Sequence, residues 1–359
     1  MKKMVFFLIA LCFFIGKTSS QGCIAIRNIS GFGQYLQSDN AFSTSNWLFN
    51  VNTRYFKSFR DFKGSKDQQT PAINRSVNHS FSTDITATRL LQNGWSLSVS
   101  LPFSVNSREA SLEHGGPGTT RHTTHSVGIG DMRVTVYKWL LSPAVSQKFN
   151  LQLGVGIKLP TGDYKYQDYF YRNDTTLVLA PVNPSIQLGD GGTGIITELN
   201  TFYVITKSIS LYGNFYYLIN PREQNGTSTT AGRTPTANQI KSRGVETSVA
   251  DAFALRAGVN FRVHDFIFSA GLREEGVPVH DLAGGSNGTR RAGHNLSFEP
   301  GILYKMNKAT VYLYVPVIFD RSIRQNVPDK IVSEITGTYT VSQGGFANSL
   351  LFAGVLFKL

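Results

Sequence analysis

His114, His122 and His125 lie close together in one polar stretch of the chain. Grouped imidazoles are the first place to look for zinc, but this spacing fits no ligand motif and no cysteine is near. No metal site is expected there. His79 stands beside Ser80 and Ser82, the residue types of a general base and a nucleophile. In a strand, however, side chains alternate between faces, so His79 has the opposite parity to both serines. No catalytic residue is assigned, and the chain reads as a non-enzyme. Glycine-rich segments recur among the 34 glycines. None sits between a strand and a helix with Gly-Lys-Ser/Thr following, as a phosphate loop requires, and no cofactor is expected.

The chemistry that remains lies in charged residues set into alternating segments. Trp47-Phe49-Val51-Thr53-Tyr55, Trp95-Leu97-Val99-Leu101-Phe103 and Phe149-Leu151-Leu153-Val155-Ile157-Leu159 each put apolar residues on one face of a strand. Similar segments continue to Ala347–Leu359, with weaker ones at His79–Leu91 and Ile195–Tyr203. The opposite face carries Arg54, Asp84, Asp131, Arg133, Tyr137, Lys158, Glu198, Arg256, Arg262, Arg273, Glu299 and Asp320. If the apolar face meets lipid, these residues face a lumen. Either they pair into a structural network, since an unpaired buried charge is costly, or some line a solute path that the arginines bias towards anions.

The connections sort into two kinds. Short turns occur at Gln92-Asn93-Gly94, Ser142–Gln147, Thr206-Lys207-Ser208, His264-Asp265 and Met306-Asn307-Lys308. Between them run long polar stretches, from Arg60–Ser76 to Asp320–Gly345. This predicts an all-β fold: a transmembrane antiparallel up-and-down β-barrel of about twelve strands, with long extracellular loops and short periplasmic turns. A soluble sandwich would also alternate, but loops this long at every second connection are unusual there. Aromatic residues gather at strand ends, as in a membrane-interface girdle.

Composition agrees: 41% hydrophobic and 12% aromatic residues do not describe a disordered chain. No Pro- or Ser-rich linker divides it, so residues 46–359 read as one barrel domain. Residues 1–20 read as a secretory leader, with Lys2 and Lys3 before an apolar run too short to span a bilayer. Cleavage is expected before Gln21, with a lipoprotein site at Cys23 as the alternative. Residues 21–45 would form a periplasmic arm or a lumen plug. Gly354, Phe357 and Leu359 resemble the C-terminal assembly signal of bacterial outer-membrane barrels, which implies the barrel assembly machinery as a partner. The formal charge of +12 suits an anionic lipopolysaccharide surface or an anion-attracting lumen. The basic residues are scattered, which disfavours nucleic acid.

Three stretches then matter together: Gly128-Ile129-Gly130-Asp131, Gly154 to Asp163 through Lys158-Leu159-Pro160-Thr161-Gly162, and Leu188-Gly189-Asp190-Gly191-Gly192-Thr193-Gly194. In order and spacing they resemble the outer-membrane β-barrel transporter family named for the meta-pathway of phenol degradation, barrels related to hydrocarbon and fatty-acid channels. The resemblance implies an outer-membrane channel of a Gram-negative bacterium, with passive uptake of small hydrophobic or aromatic solutes. The alternative is a structural or surface-binding barrel whose loops do the work. A lipid-modifying enzyme is the more remote reading.

Overall fold

The computed structural model describes residues 46–359 apart from 142–145, 147 and 174. The expected leader, the expected arm or plug with Cys23, and most of the Ser142–Gln147 turn lie outside the described residues.

Twelve antiparallel strands close into a barrel. They are β1 (Trp47–Lys63), β2 (Val77–Leu90), β3 (Trp95–Ala110) and β4, which comes in two pieces (His122–Ile129 and Met132–Trp139). Next come β5 (Phe149–Leu159), β6 (Gly194–Val204), β7 (Ile209–Ile219), β8 (Ala252–Val263) and β9 (Phe266–Val277). The wall ends with β10 (Gly293–Lys305), β11 in two pieces (Ala309–Tyr314 and Val317–Ile323), and β12 (Gly344–Lys358). Each strand pairs with the next, and β12 pairs back onto β1 from Leu48↔Lys358 to Phe62↔Gly344. The closed ring itself has no open sheet edge, the condition for backbone to cross hydrocarbon; the His122–Ile129 piece of β4 lies off that ring, paired with β3 alone among the described residues. No helix among the described residues is long and apolar enough to cross a membrane.

The parity of the side chains is inverted relative to a soluble barrel. Ile85, Val155 and Phe319 are 54%, 61% and 60% exposed, while Arg256, Arg273 and Glu275 are among the largest fully buried side chains. Apolar residues outside and charges inside is the arrangement lipid selects. At the turn end, Trp47, Trp95 and Tyr203 carry Arg89, Lys138 and Lys148 over their rings at 5.2, 5.1 and 5.8 Å. That is an aromatic girdle with cationic partners.

Inside, four tyrosines lie flat over wall glycines. Tyr137 covers Gly154, Tyr212 covers Gly258 and Gly271, Tyr314 covers Gly301, and Tyr312 covers Gly354. A Cβ at any of these glycines would overlap the ring above it. The glycines are the space in which bulky lumen side chains pack against backbone.

Both broken strands face a proline. Pro102 of β3 lies opposite Gly130, and Pro300 of β10 lies opposite Val315. Proline has no N–H to give the ladder, so its neighbour loses a bond and bends. The prolyl carbonyls still accept, from Gly130 N at 2.8 Å and Val315 N at 3.0 Å. Beyond its break, β4 pairs only with β3, because β5 meets only the lower piece, starting at Met132↔Leu159.

The long connections cap one end. The third carries a hairpin, Gln167–Tyr171 against Leu177–Pro181. The fourth carries α1 (Ala237–Lys241) and the last carries α2 (Val327–Thr336). Helix α2 starts in a capping box: Asn326 Oδ1 accepts from Asp329 N at 2.7 Å, and the Asp329 carboxylate accepts from Asn326 N at 3.2 Å.

Candidate functional site

The three glycine-bearing stretches singled out in the sequence form one knot, at the break in β4. Asp131 sits in that break, and its carboxylate accepts the backbone N–H of Gly162 at 3.0 Å and of Asp190 at 3.1 Å. One side chain thus ties the beginning of the third loop to its end. Thr161 bridges the break itself, donating to Gly130 O and accepting from Met132 N, both at 2.8 Å. Space explains two of the glycines. A Cβ on Gly162 would meet the Leu188 carbonyl, and one on Gly189 would meet the Asp131 carboxylate. Gly191, at φ +79°, makes the turn back into β6 in a conformation that L side chains rarely adopt. Lys158, from the last turn of the β5 ladder, pairs closely with Asp190 and lies 3.9 Å from Asp131.

Held this way, the third loop returns through the barrel mouth. Val182, Ile186 and Leu188 are buried. The Ile186 carbonyl accepts from Ser126 Oγ and from Asn106 Nδ2 on the inner wall of β3 and β4. Asn183 caps the short turn Pro184–Ile186 by accepting from Ser185 N at 3.0 Å. It also links opposite walls. Its amide donates to Glu113 Oε1 at 2.6 Å, and Glu113 pairs with Arg108 of β3 at 2.8 Å. From the far side, Arg291, just before β10, donates to Asn183 Oδ1 at 3.3 and 3.4 Å. A polar bar therefore crosses the mouth.

Beside the bar lies a cavity of about 520 Å³, within the size range of small-molecule sites. Its aliphatic wall includes Pro184, Leu188, Leu218, Val277, Pro328 and Val332. Its charged groups are Arg133, Lys158, Arg290 and Arg291 with Asp131, Asp190 and Asp329. Arg290 is held by Asp281 through two 2.6 Å bonds.

Other expected lumen residues sit in separate clusters. Arg256 of β8 pairs closely with Glu299 of β10, and Arg273 of β9 reaches Glu299 at 3.5 Å and Glu275 at 2.7 Å. Arg256 lies over Tyr212 and Tyr314, and Arg273 over Phe352. Arg54 and Asp84 are buried in the wall of β1 and β2. Asp84 is 3.9 Å from Arg133, and Tyr137 donates to Glu198 at 3.1 Å. Arg262 is placed differently: it is exposed at the turn end and donates to the His264 carbonyl at 3.3 Å. Asp320 is exposed and 3.0 Å from His294, beyond a register shift in the β10–β11 pairing. Phe357 and Leu359 face outward, while Gly354 lies beneath Tyr312.

The histidine and serine groups fall elsewhere. His79 hydrogen-bonds Tyr55 on the outer face at 2.8 Å, whereas Ser80 points inward to Asn106. His114 and His122 are 5.3 Å apart in the cap, with His122 stacked on Tyr171 at 4.0 Å. The described residues contain no group of three potential metal ligands. Asn183 and Arg291 escaped the sequence reading, because both lie in loops where strand parity assigns no face.

No family model and no curated protein sequence matches the chain. Among solved structures, an outer membrane channel from Pseudomonas putida F1 superposes with a TM-score of 0.58 at 10% identity, covering 88% of this chain and 96% of that one. The likeness is one of fold. A FadL homologue from Pseudomonas aeruginosa matches at 0.43 and 9% identity, over 94% of this chain and 96% of that one. The CymD monoaromatic hydrocarbon channel matches at 0.40 and 9% identity, over 95% and 98%.

Proposed function

We propose that the protein is an outer-membrane channel, with its long loops outside, that admits small and partly apolar solutes passively through the cavity at its mouth. The observation that carries this reading is the third loop, folded inward to bound a ligand-sized cavity with both aliphatic and charged walls. The resemblance to the phenol meta-pathway family and the fold shared with an outer membrane channel support the same reading. Outer-membrane lipid and lipopolysaccharide are the surroundings it implies.

The buried Arg256–Glu299–Arg273–Glu275 cluster favours a second reading, a closed barrel whose loops bind at the surface. Liposome swelling and single-channel conductance separate the two. A channel passes solute, and Arg133→Gln, in the cavity wall, changes the rate. A barrel that passes neither ions nor small solutes, and whose phenotype follows loop deletions alone, would overturn the channel reading.

A further inference from the structure

The cavity's charges differ in how well they are satisfied. Asp131 takes two backbone N–H groups, Asp190 takes Lys158, and Asp329 takes Asn326 N, Ser342 N and Ser342 Oγ. Lys158, Arg290 and Arg133 each have a carboxylate within 4 Å. Arg291 differs from them. Among the described residues no carboxylate forms an ion pair with it, although Glu113 and Asp61 feel its field. Its two terminal nitrogens share one neutral acceptor, Asn183 Oδ1, at 3.3 and 3.4 Å. Its stem leans on β12, where a Cβ on Gly344 would lie 3.6 Å from the Arg291 Cδ. A guanidinium fork fits a carboxylate through two parallel bonds, and an amide oxygen engages it poorly by comparison.

We infer that the cavity is a receptor for a small amphipathic organic carboxylate, with the carboxylate on the Arg291 fork and the apolar body against the aliphatic wall. This rests on the channel reading and names its solute class.

Calorimetric titration of the folded, detergent-solubilised protein with benzoate, benzyl alcohol and acetate tests the assignment. Benzoate should bind about tenfold or more tightly than benzyl alcohol, its uncharged analogue, because a hydrogen bond to a charged group is at stake. Acetate, lacking the apolar body, should bind more weakly than benzoate. Arg291→Gln should lose about tenfold or more for benzoate and nothing for benzyl alcohol, with Arg291→Lys between the two. Heat-modifiable gel mobility checks that each variant is folded. If the glutamine variant fails to fold, the lysine variant decides, since a lysine that binds as tightly as arginine removes the fork. No binding of benzoate, or binding that R291Q leaves unchanged, would overturn the proposal. Acetate as tight as benzoate would overturn its amphipathic half. Intact benzoate binding without any solute flux would instead sink the channel reading and leave the receptor.

Discussion

At the scale of single residues, Lys158 has the heaviest duty in the knot. It serves two carboxylates, closely at Asp190 and at 3.9 Å at Asp131. Lys158→Met should therefore destabilise the barrel towards the lower end of the roughly 3–5 kcal/mol seen when one partner of a buried pair is removed, because the Asp190 side chain keeps 33% exposure. Urea unfolding in lipid vesicles measures it. A double-mutant cycle should find stronger coupling of Lys158 to Asp190 than to Asp131, and equal couplings would contradict the geometry. Asp131→Asn keeps the shape but turns one of the two accepting oxygens into an NH2 donor, so one backbone bond is lost and the other loses its charge assistance, a loss of about 1.5–3 kcal/mol. Strand parity marked Asp131 and Lys158 as inward residues. It carried no trace of the Asp131 contacts to Gly162 and Asp190, because a side chain bonding backbone amides far along the chain leaves no periodic signature.

At the scale of elements, the cap and the wall make separate predictions. Burial, and then the neighbouring His122, press the His114 imidazole down from 6.5 to about 4. The fold therefore favours the neutral ring, whose Nδ1 accepts from Tyr171 N at 3.1 Å. The stability this contributes is complete above pH 6.5 and is lost as pH falls from there through about 4. Hydrogen-exchange protection of the Tyr171 amide, corrected for intrinsic rate, should fall across that window, and His114→Phe should flatten the dependence. In the wall, Phe357 faces out between Phe49 and Ala309. Phe357→Asp near an interface costs only about 0–1 kcal/mol, so the purified variant should refold in detergent. Loss of folded protein in cells alone would implicate the assembly machinery; failure in both settings would point to the strand pairing. Strand alternation was the legible part of these elements. Where a register shift intervenes, as before Asp320, parity stops predicting which way a side chain points.

At the scale of the whole molecule, the inverted parity predicts how light reports on the fold. Trp47 and Trp95 stand 40% and 45% exposed at the turn end, while Trp139 is buried inside against Phe202. Lipids brominated near the headgroup should quench Trp47 and Trp95 more than lipids brominated near the chain ends, and Trp47→Phe with Trp95→Phe should abolish most of the effect. Quenching that survives the double variant would place Trp139 against lipid and reverse the barrel's inside and outside. The barrel was readable from alternation and loop lengths because the bilayer imposes both on every strand. The mouth was not, since loops obey no such external rule. The tie that Asp131 makes across the third loop has one more consequence, in chain length. Residues added at the hairpin tip, between Arg172 and Thr176, extend a part of the loop that the tie leaves outside, so an inserted epitope should leave the barrel folded and as stable as before. A single residue added between Asn183 and Asp190 has little slack to absorb it, because Asp190 is held by Asp131 and Asn183 by Glu113, itself paired with Arg108 of β3. Tolerance to insertion therefore maps which part of the loop belongs to the exterior and which to the barrel mouth.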